Sequence, residues 1–224
     1  MGILYLVSTP IGNRADISLR ALETLKKTEI LLCEDTRKTK MLLEFYEIFG
    51  PQLVSYYEPV EEAKIPQVIE WLKDGKIISL VSNAGTPLIS DPGFKLVREC
   101  VRQKIKVEAI PGASALLAAL TISGLPTDKF TFLGFLPKKD GKKEKLLKEI
   151  KYTTIAYESP YRLVKTLEML NKLMAEAEVV ICRELTKKFE ETLRGKPREL
   201  IDQLAKGSLK GEVVLVISLQ GLTL

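Results

Sequence analysis

"KIISLVSNAGTPLISDPG", residues 76–93, joins a short apolar run to a turn of small, hydroxylated and ring-closed residues. The run has no polar–apolar alternation, which is the signature of a strand buried on both faces. Its last twelve residues, 82–93, hold two Gly, two Pro, three hydroxyls and one carboxylate. Gly and Pro belong where the backbone turns sharply and where it approaches a ligand closely. A buried strand ending in such a turn is the repeating unit of a parallel α/β sheet. Ligands of such sheets bind beyond the carboxyl ends of the strands.

The same unit recurs on either side. "ILYLVS" (3–8) runs into "STPIGN" (8–13), "ILLCED" (30–35) into "EDTR" (34–37), and "KVEAI" (106–110) into "IPGASA" (110–115). Helical patterns separate the strands. Ser18 is placed to cap a helix with Leu19, Leu22 and Leu25 on one face. Thr36 opens a helix carrying Met41, Leu42, Phe45 and Tyr46. "LVSYY" reads as a further strand, followed by a helix with Ile65, Val68, Ile69 and Leu72, and helices cover Phe94 to Gln103 and "GASALLAALTIS" (112–123). This alternation predicts a mostly parallel sheet with helices on both faces.

Near "GLPTD" (124–128) the pattern resets. "KFTFLGFLP", the basic "KKDGKKEKLLKEI", "TTIAYES", "YRLVKTLEMLNKL", "EVVICRE", "FEETLRG", "PRELIDQLA" and "GEVVLVISL" then follow in order, with Pro197 at a helix first turn. Two α/β domains are expected, 1–123 and 124–224, each a mostly parallel or mixed sheet flanked by helices.

Composition narrows the chemistry. The 224 residues are 46% hydrophobic and 28% charged, a balance that builds a globular core. A net charge of +5 permits a polyanionic partner or a plain solvated surface. There is no histidine, which removes His-based triads and His general bases. Cys33, Cys100 and Cys182 are odd in number and scattered, so a reducing compartment is expected. "MGILYLVSTP" has no basic leader or cleavage site, and Leu6 stands where a myristoylation signal needs Ser or Thr. The uncharged stretch between Glu108 and Asp128 is broken by Pro111, Gly112, Gly124 and Pro126, so no membrane span is expected. The expected localisation is cytoplasmic. Neither a Walker loop nor a Gly-x-Gly-x-x-Gly fingerprint follows any strand, which leaves the 82–93 turn to another ligand.

Together "STPIGN", "EDTR", "AGTPLISDPG", "IPGASA", "LGFLP", "YESPYRL" and "CRELTKKFEE", in that order, closely resemble the ribosomal RNA small subunit methyltransferase I group of the tetrapyrrole methylase superfamily. The resemblance runs from about Leu4 to about Gly211. It implies a homodimer of two-domain chains with S-adenosylmethionine in a cleft between the domains. The implied reaction is methylation of the 2′-hydroxyl of cytidine 1402 in 16S rRNA of the 30S subunit. By motif, Pro10, Thr86, Leu88, Ile89, Ser90, Ser114, Ala115, Tyr157, Leu185 and Glu212 are implied to hold the cofactor. Asn13, Asn83, Arg183 and Glu190 are implied to meet substrate, and Asp35, Arg37, Glu184 and Lys187 to act in catalysis.

The residues keep rival readings open. Asp35 either caps the helix at Thr36 or serves the reaction, and Arg37 is either a surface residue or a phosphate ligand. Glu184 forms an ion pair with Arg183 or Lys187, or works on substrate. Asp35, Glu184, Lys187 and Glu190 are the candidate bases. Lys187 qualifies only if burial depresses its pKa; otherwise it holds phosphate. Tyr157 and Tyr161 are core aromatics or shape the cofactor pocket. Lysines 138–148 form a solvated helix face or an RNA patch. Members of the family usually carry Asp where this chain has Asn83; an amide hydrogen-bonds but is no base. Many members continue past the last strand, so with Leu224 last, the RNA grip is expected to rest on dimer surface and lysines. Other readings are a superfamily methylase acting on a corrin precursor or a protein, and a non-catalytic RNA- or nucleotide-binding relative.

Overall fold

In the computed structural model, residues 2–205 and 210–219 are described, so the expectation attached to Leu224 lies outside the described residues. The chain divides into two units, Met1–Ser114 and Ala115–Leu224.

The first unit carries strands β1 (Ile3–Val7), β2 (Ile30–Cys33), β3 (Gln52–Ser55), β4 (Ile77–Val81) and β5 (Lys106–Ile110). They pair in the order β3-β2-β4-β1-β5, every pair parallel. The lack of alternation in these strands has a direct cause: successive residues feed two different cores. Leu4, Leu32, Ile78 and Leu80 pack with Val68 and Leu72 of α3 (Glu58–Lys73) and Leu96 of α4 (Phe94–Arg102). Val7, Leu31, Cys33 and Val81 pack with Ala21 and Leu25 of α1 (Leu19–Lys27) and Leu43 of α2 (Thr36–Phe45). Ser18 caps α1 as expected, its Oγ accepting from Ala21 N at 3.1 Å. Leu19 departs from the expected apolar face, being 79% exposed at the start of the helix, whereas Leu25 is buried.

The second unit holds α5 (Ala115–Ser123), β6 (Phe130–Phe135), α6 (Asp140–Lys148), β7 (Thr153–Glu158), α7 (Pro160–Leu173), β8 (Glu178–Arg183), β9 (Glu191–Gly195), α8 (Pro197–Leu204) and β10 (Val213–Ser218). Its sheet, ordered β6-β7-β10-β8-β9, is mixed: β6 and β7 are parallel, while β10 runs antiparallel to both β7 and β8. Consequently the start of β10 lies at the same sheet edge as the ends of β7 and β8, with Val213 opposite both Glu158 and Arg183. The division falls at 114/115, whereas the composition reset places it at 124–128. The helix between these points, α5, packs on β10 and β7.

All three cysteines are buried and free. Burial pushes the thiols up, those of Cys100 and Cys182 to about 11, so they behave as small core side chains.

The lysine run 138–148 is not one uniform face. Lys143 is 2% exposed. Its Nζ donates to Glu158 Oε2 at 2.9 Å and to Thr166 Oγ1 at 2.7 Å, and Thr166 Oγ1 itself donates to the same carboxylate at 2.7 Å. Glu158 also accepts from Ser159 N at 2.7 Å and pairs with Arg162 at 2.5 Å. An ammonium at this depth is tolerable because a carboxylate and a hydroxyl both meet it directly. Lys143→Met strands the buried Glu158 carboxylate with one cation fewer. It is expected to cost about 3–5 kcal/mol, read as a lowered urea midpoint at unchanged slope. A loss under 1 kcal/mol would mean that solvent screens the pair.

Candidate active site

Strand order marks β4 with its two neighbours in the first unit, because β2 and β1 both connect toward one edge of the sheet and β4 toward the other. From β1 the chain crosses β4 to reach β2; from β4 it crosses β1 to reach β5. The neighbours β1 and β4 therefore send their connections in opposite directions, which opens a crevice past their carboxyl ends. The loops leaving them are bonded to each other there. Thr9 N donates to Gly85 O at 2.9 Å and Gly85 N to Thr9 O at 3.0 Å. Ser8 Oγ donates to Thr86 Oγ1 at 3.1 Å, and Thr86 Oγ1 donates to Ala113 O at 3.1 Å, which brings in the loop after β5. Gly112 lies against Ser8, where a Cβ would sit 2.9 Å from the serine Cβ.

The turn beyond Gly85 is strained. Leu88 and Ser90 have φ of 70° and 66°, a left-handed conformation that costs non-glycine residues about 1–2 kcal/mol each. Two supports hold it. Gly93, at φ 131°, leaves Leu80 and Leu88 the space that a Cβ would take. Glu61 of α3, buried, accepts from Gly93 N at 3.0 Å and from the Tyr56 hydroxyl at 3.3 Å. A carboxylate at the start of α4 also complements the positive end of that helix.

In the second unit the corresponding feature lies after β8. Glu184 and Thr186 are left-handed, with φ of 52° and 63°. Lys187 Nζ donates to Glu184 Oε1 at 2.9 Å and to Glu212 Oε2 at 3.0 Å, while Glu212 N donates to Glu184 Oε1 at 2.9 Å. The Glu212 backbone N–H, then Lys187, hold the Glu184 carboxyl below the usual range. Burial works to lower the Lys187 pKa, but its bonds to Glu184 and Glu212 outweigh it and hold the ammonium above the usual range. Lys187 is thus a cation, not a depressed-pKa base. The other left-handed non-glycine residues described, Glu47 and Lys104, end α2 and α4, where this conformation is ordinary.

Most sequence-derived positions fall into these two groups. Pro10, Asn13, Asn83, Thr86, Leu88, Ile89, Ser90 and Ser114 lie in the loops after β1, β4 and β5; Asp35 and Arg37 follow β2, beside β4. Tyr157, Arg183, Glu184, Leu185, Lys187, Glu190 and Glu212 lie at or near the ends of β7 and β8 and before β10; Ala115 opens α5. Several have local duties. Asp35 caps α2, its Oδ1 accepting from Arg37 N at 2.9 Å and Lys38 N at 3.3 Å. Asn13 accepts from Ala15 N at 3.0 Å. Glu190 accepts from Thr186 N at 2.6 Å. Arg183 pairs with Glu191 rather than Glu184. Tyr157 is half-buried in edge contact with Phe132 and Phe135, whereas Tyr161 is 88% exposed and no core residue.

Four residues escaped the sequence reading. Arg14 and Lys38 line a cavity of about 170 Å³ with Pro10, Met41, Leu42 and Asn83. Glu61 carries no motif. Asp91 lies inside the 82–93 stretch, but its character comes from burial in the fold and from Glu34, distant in sequence. Burial, then the Glu34 charge, push its carboxyl up to about 6 against the bond from Ser82.

A match to the model of the tetrapyrrole (corrin/porphyrin) methylases spans residues 3–201. The ribosomal RNA small subunit methyltransferase I of Hydrogenobaculum sp. is 46% identical, over 96% of this chain and 95% of its own. The protein of that name from Bacillus subtilis is 47% identical, over 97% of this chain and 75% of its own. Among solved structures, the uroporphyrin-III C-methyl transferase of Thermus thermophilus complexed with S-adenyl homocysteine shares the fold. It has a TM-score of 0.66 at 18% identity, over 97% of each chain. The chain belongs to the tetrapyrrole methylases, and within them to the ribosomal RNA small subunit methyltransferase I family.

Asp91 provides a pH signature. Its folded pKa lies above the ordinary 3.8, so between about 4 and 6 the folded chain keeps a proton that the unfolded chain has lost. Its contribution to stability therefore falls as pH rises through that window and is level above it. Asp91→Asn is expected to flatten this part of the stability–pH curve, measured as urea midpoints from pH 4 to pH 7. An equally steep decline in the variant places the proton elsewhere.

Proposed function

We propose that the chain is an S-adenosylmethionine-dependent methyltransferase acting on ribosomal RNA of the small subunit. The acceptor is the 2′-hydroxyl of cytidine 1402 in 16S rRNA. The observation that carries this reading is the near-full-length similarity to proteins of that name, on a chain whose motif residues gather at the β1/β4 crevice.

The first unit fits the cofactor chemically. Leu88 and Ser90 hold a strained turn in which Leu88 packs on the core while Ile89 and Ser90 are exposed. Strain of this kind collects where backbone serves a ligand. Pro10, Thr86, Leu88, Ile89, Ser90 and Ser114 would hold the cofactor; the resemblance adds Ala115, Tyr157, Leu185 and Glu212. When bound, S-adenosylmethionine supplies a methyl group on a sulfonium, open to in-line displacement.

The chain's own task is to orient a weakly nucleophilic hydroxyl and take its proton. Positioning within about 3–3.5 Å supplies much of the rate. Of the carboxylates at these strand ends, Asp91 is the one suited to accept a proton near neutral pH. Lys187, fixed as an ammonium between two carboxylates, acts as a charge that positions substrate.

The direct test offers labelled cofactor to 30S subunits, to free 16S rRNA, to a tetrapyrrole and to protein. The expected product is label on one ribose, resistant to alkali. Label on a tetrapyrrole or protein and none on RNA would falsify the reading. Lys187→Ala is expected to lower kcat by about 10- to 100-fold, the loss of a charged contact, with cofactor affinity within about twofold. Equal loss of cofactor binding would place Lys187 in the cofactor's grip instead.

A further inference from the structure

The cavity lined by Arg14, Lys38 and Asn83 has an unusual charge inventory. Its wall also includes the hydroxyl residues Thr9, Thr39 and Ser82 and the apolar Met41 and Leu42, and no carboxylate lines it. Neither Arg14 nor Lys38 forms an ion pair with a described residue, so neither charge on this wall is neutralised from within the fold. The nearest carboxylate in sequence to Lys38, Asp35, is occupied capping α2.

Arg14 is also held in place. It opens a single 3₁₀ turn, Arg14–Asp16, capped by Asn13. Its guanidinium sits 4.2 Å from the centroid of the Phe45 ring, and its carbonyl accepts from the Tyr46 hydroxyl at 2.5 Å. Stacking on an aromatic face leaves the guanidinium edge available and removes part of the entropy cost of ordering it. Two cations on the wall of one cavity, beside neutral amide and hydroxyl groups and with no carboxylate in the lining, make a place for an anion. The cavity, at about 170 Å³, is smaller than the roughly 300–1,000 Å³ of sites that enclose a whole small ligand. One backbone unit of a strand laid across the crevice matches both its size and its charge.

We propose that Arg14 and Lys38 form a phosphodiester subsite that grips the acceptor RNA strand, with Asn83 as the neutral wall that keeps the site free of negative charge. The proposal rests on the reading of the chain as an RNA methyltransferase and assigns that enzyme a substrate contact. It separates two jobs within the first unit. The strained 86–90 turn serves the cofactor; Arg14 and Lys38 serve the RNA backbone, in a cavity that Pro10 of the cofactor set also lines.

The test measures binding of the wild type, Arg14→Ala, Lys38→Ala, Arg14→Lys and Asn83→Asp to 30S subunits and to a 16S rRNA fragment across a salt series. S-adenosylmethionine affinity is measured in parallel. Arg14→Ala and Lys38→Ala are each expected to weaken RNA binding by roughly 5- to 30-fold. Each should flatten the slope of log K against log salt by about 0.7–1, the signature of one lost phosphate contact. Arg14→Lys keeps most of the binding and the slope, and Asn83→Asp weakens RNA binding. Cofactor affinity stays within about twofold in all four. RNA binding and slope unchanged in both alanine variants overturn the subsite while leaving the enzyme reading intact. Cofactor affinity falling in step with RNA affinity also overturns it, because the cavity then serves the cofactor. A wild type that binds no RNA overturns the enzyme reading, and the subsite with it.

Discussion

The pair of backbone hydrogen bonds between Thr9 and Gly85 is the constraint on which the first unit's site depends. β1 and β4 are hydrogen-bonded neighbours, yet their chains must leave in opposite directions. Loops that diverge from adjacent strands expose unpaired backbone groups unless something holds their first residues together. Thr9 and Gly85 satisfy each other, and the Ser8–Thr86–Ala113 relay extends the tie to the loop after β5. Only then can the chain afford left-handed Leu88 and Ser90 a few residues on. The strain is stored against a rigid base on one side and against Glu61 and Gly93 on the other.

The second unit solves a similar problem with charge. Its central strand, β10, is antiparallel to both neighbours, so a strand start and two strand ends share one edge. Glu184 and Thr186 turn left-handed there, and the segment is closed by Glu184, Lys187 and Glu212 together with the Glu190 carboxylate on Thr186 N. Backbone and hydroxyl contacts and a single carboxylate, Glu61, brace the first unit's turn; three carboxylates and an ammonium brace this one. A braced ammonium keeps its proton, and for that reason Lys187 is suited to hold charge and not to remove a proton.

Features of the fold that depend on near neighbours were legible in the sequence. Strands buried on both faces read as unbroken apolar runs because Leu31 and Leu32 enter different cores. Ser18 and Pro197 sit where helix starts require them. The Gly-Pro turn of 82–93 announced a close approach because few other residues fit one. What stayed hidden depends on residues distant along the chain. Lys143 looks like its exposed neighbours until Glu158 and Thr166 are found around it. Asp91 looks ordinary until the fold buries it and brings the Glu34 charge to bear on it. The helix 115–123 was visible, but the unit it joins was fixed by β10, about a hundred residues later. Arg14, in a turn after β1, and Lys38, in the first turn of α2, share a cavity only because β2 was inserted beside β4.

That insertion also gives Asn83 its meaning. At the sequence level it is a missing carboxylate, a defect if a base belonged there. In the fold it lines the same cavity as two unpaired cations, while the raised carboxylate of the turn, Asp91, lies eight positions further on. An aspartate at 83 would offer those cations an internal partner, and an internal partner competes with any incoming phosphate. An amide donates and accepts hydrogen bonds without that competition. The amide at position 83 therefore leaves the positive charge of Arg14 and Lys38 without a carboxylate partner in the cavity's own lining, which an aspartate there would supply.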